Sequence, residues 1–196
     1  MAATSRAGGA FPLAGIPGQM RTYASGEKEP AFAELIGASM VSAVHLELHD
    51  QHMTSDPAFQ AWLAGRSAPQ EPAVQYRAYT EAVLSTVRRG VIVRRARIVS
   101  EPVSDYVRWE HFLTSPVNVA AGEQVRWLPR RLASTLALPG NPYWVFDDRL
   151  VRFTLFGGDG EMLGHQYSGD PAVIAACAAA FEAVWGHAIP HENYQV

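Results

Sequence analysis

Charge within an apolar segment is the first feature of this chain that could support chemistry. Residues 88–101 read as a strand in which arginine interrupts the apolar pattern at Arg94, Arg95 and Arg97. An isolated ion inside a protein costs several kcal/mol, so these guanidinium groups need acidic partners. Five carboxylates are available elsewhere in the chain: Glu101, Asp105, Glu110, Asp147 and Asp148.

These charges have two interpretations. The first is a salt-bridge network at the edge of a sheet, which would serve the fold alone. The second is a pocket for a small anionic ligand at the carboxyl end of the strand, because guanidinium forks bind carboxylate and phosphate through paired hydrogen bonds. The predicted ligand-binding residues are then Arg95, Arg97, Glu101, Asp105, Arg108, Arg130, Arg131, Asp147 and Asp148.

Polar and apolar residues alternate in the segment 41–49. His45, Glu47 and His49 share one face of the predicted strand, where same-face neighbours stand roughly 7 Å apart. Two histidines and a carboxylate are suitable metal ligands, but adjacent positions on one strand converge poorly on a single ion. We therefore predict a solvated strand face and no metal site, with these three residues as the candidates if a metal does bind.

Two adjacent acids, Asp147 and Asp148, lie at the bend of a predicted hairpin. They would form a general acid–base pair if their pKa values differed. Alternatively, one caps the bend and the other pairs with Arg149. The chain has no Gly-x-Ser-x-Gly elbow, no His-Glu-x-x-His motif and no Rossmann glycine fingerprint. We therefore predict no catalytic residues and no cofactor.

The composition excludes several classes of protein. Hydrophobic residues make up 48% of the 196 residues, which is enough for a sizeable core. The net charge of -3 gives no general attraction to nucleic acid or to an anionic membrane. The single cysteine, Cys177, allows neither an internal disulfide nor a cysteine-rich zinc site. With no transmembrane-length apolar run and no signal peptide, we expect a cytoplasmic protein.

Periodicity and capping signals predict strands that alternate with helices in the middle of the chain and cluster later. Strands are predicted at 41–49, 91–99, 124–128, 143–146, 150–156 and 162–167, and helices after Pro30, at 56–65, 73–89 and 104–113, and from Asp170. The predicted fold class is α/β, with α+β as the alternative: a mixed sheet of about five or six strands with helices packed on its faces. We predict a flexible leader at 1–29 and a single globular domain at 30–196.

Five stretches resemble an uncharacterised domain family that is common in actinobacteria. They are HLELHD at 45–50, SEPxSDY at 100–106, VRWLPRR at 125–131, FDDRLV at 146–151 and the segment 170–191. The resemblance covers about residues 30–194, but His49-Asp50-Gln51-His52 replaces the Arg-Asp-x-Tyr that is usual in the family. Members of this family look like companions of small helix-turn-helix regulators. The resemblance therefore implies a regulatory role with a transcription regulator as the protein partner.

The run from the strand at 91–99 to the final helix is similar to half of a phospholipase D-like domain. The signature of that fold is His-x-Lys-x4-Asp, and at that spacing this chain has Asn141, Tyr143 and Asp148. Without the nucleophilic histidine and the lysine, the phosphoryl-transfer chemistry of that family is not expected. The resemblance implies a cleft that binds rather than cleaves.

Taken together, these features predict a non-catalytic regulatory or ligand-binding module. It would bind a small anionic ligand, a protein partner or both, and would contact neither nucleic acid nor a membrane directly. The alternative is an enzyme of small-molecule metabolism that uses acidic or histidine residues of the cleft.

Overall fold

A computed structural model describes residues 20–65, 74 and 76–196. These residues form one eight-stranded sheet in the order β1-β7-β6-β5-β2-β3-β4-β8. The strands are β1 (Arg21–Ala24), β2 (Ser42–Glu47), β3 (Ile92–Val99), β4 (Gln124–Pro129), β5 (Tyr143–Phe146), β6 (Leu150–Phe156), β7 (Met162–Ser168) and β8 (Ile189–Pro190). Neighbours among β2, β3 and β4 are parallel, and every other pair is antiparallel.

The helices cover both faces of this sheet. They are α1 (Phe32–Ala38), α2 (Pro57–Leu63), α3 (Arg77–Arg88), α4 (Asp105–Leu113) and α5 (Pro171–His187). Local capping explains several starts, because the side chains of Asp56, Ser104 and Asp170 accept hydrogen bonds from amides of the first helical turn. The predicted fold class, an α/β domain with a mixed sheet, is confirmed. In the described part of the chain, no helix is both long and apolar enough to cross a bilayer.

The prediction of five or six strands was too low, because the two edge strands carry no recognisable pattern. β8 has only two residues. β1 lies within the segment that we expected to be a flexible leader, and that expectation is wrong for Arg21–Ala24, which pairs with β7. The ring of Tyr23 packs edge-on against Tyr167, with centroids 5.4 Å apart. Residues 1–19 and the predicted linker at 67–72 lie outside the described residues.

The two faces of the central strands differ in chemistry. Because side chains alternate along a strand, Ala96 and Ile98 of β3 face α5 and join the larger apolar core with Phe181. Arg95 and Arg97 point to the other face, which α1, α3 and α4 cover. Both faces of β3 are therefore covered, as its sequence predicted. The second face carries the buried polar residues.

Candidate ligand-binding site

Strand register assembles a polar group on this second face. β2 and β3 are parallel, with His45 opposite Arg95 and Glu47 opposite Arg97. β5 is antiparallel to β2 and places Trp144 opposite His45. Side chains of directly paired residues lie on the same face of a sheet, so they meet under the covering helices.

Glu47 links the two buried arginines. Its carboxylate accepts short hydrogen bonds from Nη1 of Arg95 and from Nε of Arg97. Arg95 also donates from Nε to Glu123 Oε1 at 2.8 Å, and from Nη2 to the Tyr79 hydroxyl at 2.7 Å. The network thus joins β2, β3, α3 and the start of β4.

The helical turn after α4 completes the group. Arg97 donates from Nη1 to Thr114 Oγ1 at 2.7 Å. Asn118 donates from Nδ2 to Glu123 Oε2 at 2.5 Å. Both residues belong to the π-helical turn Thr114–Asn118. The turn therefore connects α4 to the polar residues on this face of the sheet, which form the polar floor (His45, Glu47, Arg95, Arg97 and Glu123).

The sequence prediction of partners for these arginines was wrong in most respects. Of the five acids expected, only Glu110 is an ionic neighbour, with Oε1 3.7 Å from Arg97 Nε. The main partners are Glu47 and Glu123, which lie on or beside neighbouring strands. The signal for Glu47 was present, since the sequence places it on the polar face of its strand. The expectation that this face is solvated is wrong, because Glu47 is 9% exposed and lies under the covering helices.

Burial and charge act in opposite directions on these groups. Burial raises the pKa of the Glu47 carboxyl, but the guanidinium groups of Arg97 and Arg95 outweigh it and hold that pKa well below its usual range. Burial lowers the pKa of Arg95, yet Glu123, Tyr79 and Glu47 outweigh it and raise that pKa. The two arginines and Glu47 are therefore all ionised at neutral pH.

Glu110 behaves differently from Glu47. It is 6% exposed, and its burial raises the pKa of its carboxyl to about 8, with Arg97 opposing and Glu47 adding to the rise. Its carboxyl makes no hydrogen bond to a described residue. At neutral pH the Glu110 carboxyl is therefore mostly protonated and uncharged.

The histidines of the site are neutral. His45 stacks on Trp144 with ring centroids 4.4 Å apart, and burial and Arg95 together lower its pKa well below the usual value. His52 Nε2 lies 3.1 Å from the Tyr106 hydroxyl, and burial lowers its pKa as well. Neutral histidine at neutral pH can serve as a hydrogen-bond donor or acceptor for a ligand.

The predicted metal candidates do not form a cluster. His45 and Glu47 are adjacent, with Nδ1 and Oε1 3.4 Å apart. His49 instead packs edge-on against Phe156, with centroids 5.2 Å apart. No group of three or more His, Cys, Asp or Glu suited to a metal ion occurs among the residues that the structure describes.

A cavity of about 350 Å³ opens over the polar floor. Its walls come from α1, α3 and α4, and six of its lining side chains are aromatic: Phe32, Tyr76, Tyr79, Tyr106, Trp109 and Trp144. Its charged and polar lining includes His45, Glu47, His52, Asp56, Arg95, Arg97, Glu110 and Asn118. Sequence reasoning missed the aromatic walls, because the rings lie on separate elements and each one fits an ordinary core pattern.

Only two of the nine predicted ligand-binding residues, Arg95 and Arg97, line this cavity. Arg130 instead donates to Ser100 Oγ at 2.9 Å and lies 3.3 Å from Asp50. Its Nη2 also donates to the carbonyls of Leu48, just after β2, and of Ile98 on β3. Arg130 therefore connects the C-terminal ends of β2 and β3, and its Nε and Nη2 donors are not free for a ligand.

Four of the other predicted residues form surface ion pairs. Arg131 pairs with Glu101 at 3.3 Å, and Arg108 with Asp105 at 3.0 Å. Both arginine side chains are well exposed, at 68% and 44%. Ion pairs this exposed contribute little to stability.

The hairpin acids lie beside the start of β2 and do not line the cavity. Asp147 accepts hydrogen bonds from the amides of Met40, Val41 and Ser42 at 2.8–2.9 Å. Asp147 and Asp148 have φ of 52° and 51°, which suits a tight hairpin turn. The backbone therefore forms the predicted tight turn, but the Asp147 carboxylate binds the amides of residues 40–42 and does not cap the bend itself.

Three solved structures are similar to this chain over most of its length. Nuc from Salmonella typhimurium, a phospholipase D family member, aligns with 92% of this chain and 100% of its own, at a TM-score of 0.52 and 10% identity. NucT from Helicobacter pylori aligns with 81% of this chain and 87% of its own, at 0.49 and 10%. TrmBL2, an archaeal chromatin protein with a novel mode of DNA binding, aligns over 80% of this chain and 48% of its own, at 0.43 and 12%.

At such low identity, the likeness to Nuc establishes the fold alone. The expected phospholipase D-like fold is thereby confirmed. No curated protein is similar enough to count as a match. A family model described as a domain of unknown function, DUF6879, matches residues 30–196, and the chain belongs to that family.

Proposed function

We propose that this protein is a non-catalytic module that binds a small organic ligand in the cavity over β2 and β3. The cavity itself carries the proposal. Its volume of about 350 Å³ lies within the range of ligand sites, roughly 300–1,000 Å³. Aromatic walls with a few fixed polar groups are the usual composition of such sites.

The ion network holds the charged side chains of the cavity in place without a ligand. Arg95 has three acidic or hydroxyl partners, and Arg97 has Glu47 and Thr114. Polar groups that are already held by their neighbours lose little entropy on binding. The polar side chains of the cavity are therefore already in position to bind a ligand.

The charge balance does not favour the anionic ligand that the sequence predicts. The two positive charges of Arg95 and Arg97 face the two negative charges of Glu47 and Glu123. A bound anion would have to compete with these carboxylates, so we propose a ligand group without a negative charge at this position.

Catalysis by the two carboxyls of the cavity is also disfavoured. Glu47 and Glu110 differ strongly in pKa, which is a property of acid–base pairs. However, a carboxylate held at a very low pKa by two arginines is a weak base at neutral pH. We therefore assign Glu47 to the floor of the site and not to proton transfer.

The regulatory setting is proposed from the family resemblance. Members of such a family look like companions of transcription regulators, so we propose a regulator as the protein partner and the cytoplasm as the location. The cavity would then allow a small molecule to influence that partnership.

A cavity-filling substitution tests ligand binding directly. Leu113→Trp and Val117→Phe each place extra volume in the cavity, since both side chains line it. The probe is the soluble metabolite extract of the producing cells. A ligand at about a hundred times its Kd should raise the wild-type Tm by roughly 5–10 °C, and native mass spectrometry should detect it.

Leu132→Trp is the control, because Leu132 is 48% exposed and does not line the cavity. This control should keep the wild-type response, whereas both cavity variants should lose it. Equal responses from wild type and both cavity variants would contradict the proposal.

A further inference from the structure

Glu110, which lines the cavity, lacks the hydrogen-bond partners that Glu47 and Glu123 have. Glu47 is held by two arginines, and Glu123 by Arg95, Tyr79 and Asn118. Glu110 has only the 3.7 Å approach to Arg97 Nε, and that atom already donates to Glu47. The buried Glu110 carboxyl therefore lines the cavity without a hydrogen bond to any described residue.

The surroundings of Glu110 are aromatic and acidic. Tyr106 and Trp109, on the same helix, have ring centroids 5.2 Å apart. Tyr76 lies on the same wall, and its hydroxyl is 3.5 Å from Asp56 Oδ2. Aromatic faces and carboxylates both attract a cation, the rings through their negative π faces.

The charge count of the site points the same way. Within the arginine network, Arg95 and Arg97 are balanced by Glu47 and Glu123, so ionised Glu110 would add a negative charge that no arginine of the network balances. An excess buried charge is costly, and the protein avoids it by keeping Glu110 protonated, with a pKa near 8. A positively charged ligand group would supply the missing counter-charge.

We infer that the cavity binds an organic cation, an aromatic or otherwise apolar body with a protonated amino group, and that its ammonium pairs with Glu110 against the rings of Tyr106 and Trp109. This inference rests on the proposed function, because it names the class of ligand for the same cavity. The apolar body would occupy the aromatic walls, and the ammonium would replace the proton that Glu110 carries in the empty site.

Such exchange makes binding depend on pH. The groups that influence Glu110 are Arg95 and Arg97 from β3, Glu47 from β2, Asp50 after β2, Tyr76 before α3 and Tyr106 on α4. Below pH 8 the site must release a proton to pair with the ammonium. Affinity should therefore fall by up to about tenfold for each pH unit below 8, while the amine stays protonated.

Three matched probes test the inference on the full chain. Phenethylamine, phenethyl alcohol and 3-phenylpropionate share one ring and a similar chain, but carry a positive, a neutral and a negative group. Titrations are followed by NMR at pH 7 and pH 8. At pH 8 the amine should bind at least tenfold more tightly than the alcohol and the carboxylate. At pH 7 the amine should bind more weakly than it does at pH 8.

Glu110→Gln keeps the size and hydrogen-bonding capacity of the side chain and removes its charge. This variant should lose at least tenfold in amine affinity, with alcohol affinity changed by less than twofold. Glu182→Gln, on a surface ion pair outside the cavity, should leave all three affinities unchanged. If Glu110→Gln folded incorrectly, it would also lose binding of the alcohol. In that case Glu110→Asp serves as the second variant, and it should keep the preference for the amine.

Two results would overturn the inference. One is equal or tighter binding of the alcohol or the carboxylate by the wild type, and the other is unchanged amine affinity in Glu110→Gln. The proposed function would survive either result if the extract still stabilised the wild type and not Leu113→Trp. If Leu113→Trp responded like the wild type, the proposed function itself would fail.

Discussion

Glu47 is the shared counter-ion of two buried arginines. Its single carboxylate neutralises parts of two guanidinium groups that are both less than a tenth exposed. Removal of one partner from a buried ion pair leaves an uncompensated charge, which costs far more than the pair contributed. Loss of an exposed ion pair changes stability very little, because water screens the charges.

Glu47→Gln should therefore lower the free energy of unfolding by about 3–5 kcal/mol. The matched control is Glu182→Gln, which breaks the ion pair with Arg94 on the opposite face of β3, where the Glu182 side chain is 58% exposed. That change should cost less than about 1 kcal/mol. Urea unfolding measures both, and equal effects would show that Glu47 is not an essential counter-ion.

At the scale of elements, β1 depends on one glycine of its neighbour. Gly164 pairs with Ala24 and has φ of +141°, a conformation that other residues rarely adopt. A methyl group on Gly164 would lie 2.1 Å from the carbonyl oxygen of Tyr23. Because backbone atoms form the obstacle, the two strands would have to separate.

Gly164→Ala should release β1 from the sheet and expose Tyr23, at a cost of roughly 1–3 kcal/mol. Hydrogen exchange should show loss of amide protection at Arg21–Ala24. Gly37→Ala, on α1, is the control, since its added methyl meets open space. It should leave protection of β1 intact and stabilise the protein by about 0.5–1 kcal/mol. Retained protection in Gly164→Ala would contradict this account of the edge.

For the whole molecule, the buried Glu110 couples stability to pH. Its folded-state pKa of about 8 lies above the ordinary value of 4.5. The stability that it contributes is therefore fully present below pH 4.5 and is lost as the pH rises through 8. Buried histidines such as His45 and His165 act in the opposite sense, since their lowered pKa values make the protein lose stability as the pH falls below 6.5.

Comparison of the wild type with Glu110→Gln isolates the first effect, because both proteins contain the same histidines. The unfolding free energy of the wild type minus that of the variant should fall between pH 5 and pH 8, by up to about 1.4 kcal/mol per pH unit. Urea titrations at four pH values in this range measure the slope. A constant difference would mean that Glu110 ionises in the folded protein as it does in the unfolded chain.

The sequence alone was sufficient for most of the elements and for the fold class. Helices start where Asp56, Ser104 and Asp170 can cap free amides, and capping depends only on residues that are close in the chain. Alternation on β2 likewise showed that one face of that strand is polar, but the face is buried by helices and not solvated as the alternation suggested. β1 was missed, because its four residues have no pattern of their own and gain their structure by pairing with β7, about 140 positions later.

The site itself was decided by tertiary structure. Arg95 and Arg97 were identified from their strand, but their partner Glu47 lies about 50 residues away and reaches them only through the parallel register of β2 and β3. The acids that looked suitable by proximity or by motif, such as Asp147, are occupied elsewhere by backbone amides. Local sequence specifies which side chains must find a partner, since burial of charge is costly wherever it occurs. Which partner they find depends on the packing of distant segments, and no local pattern records it.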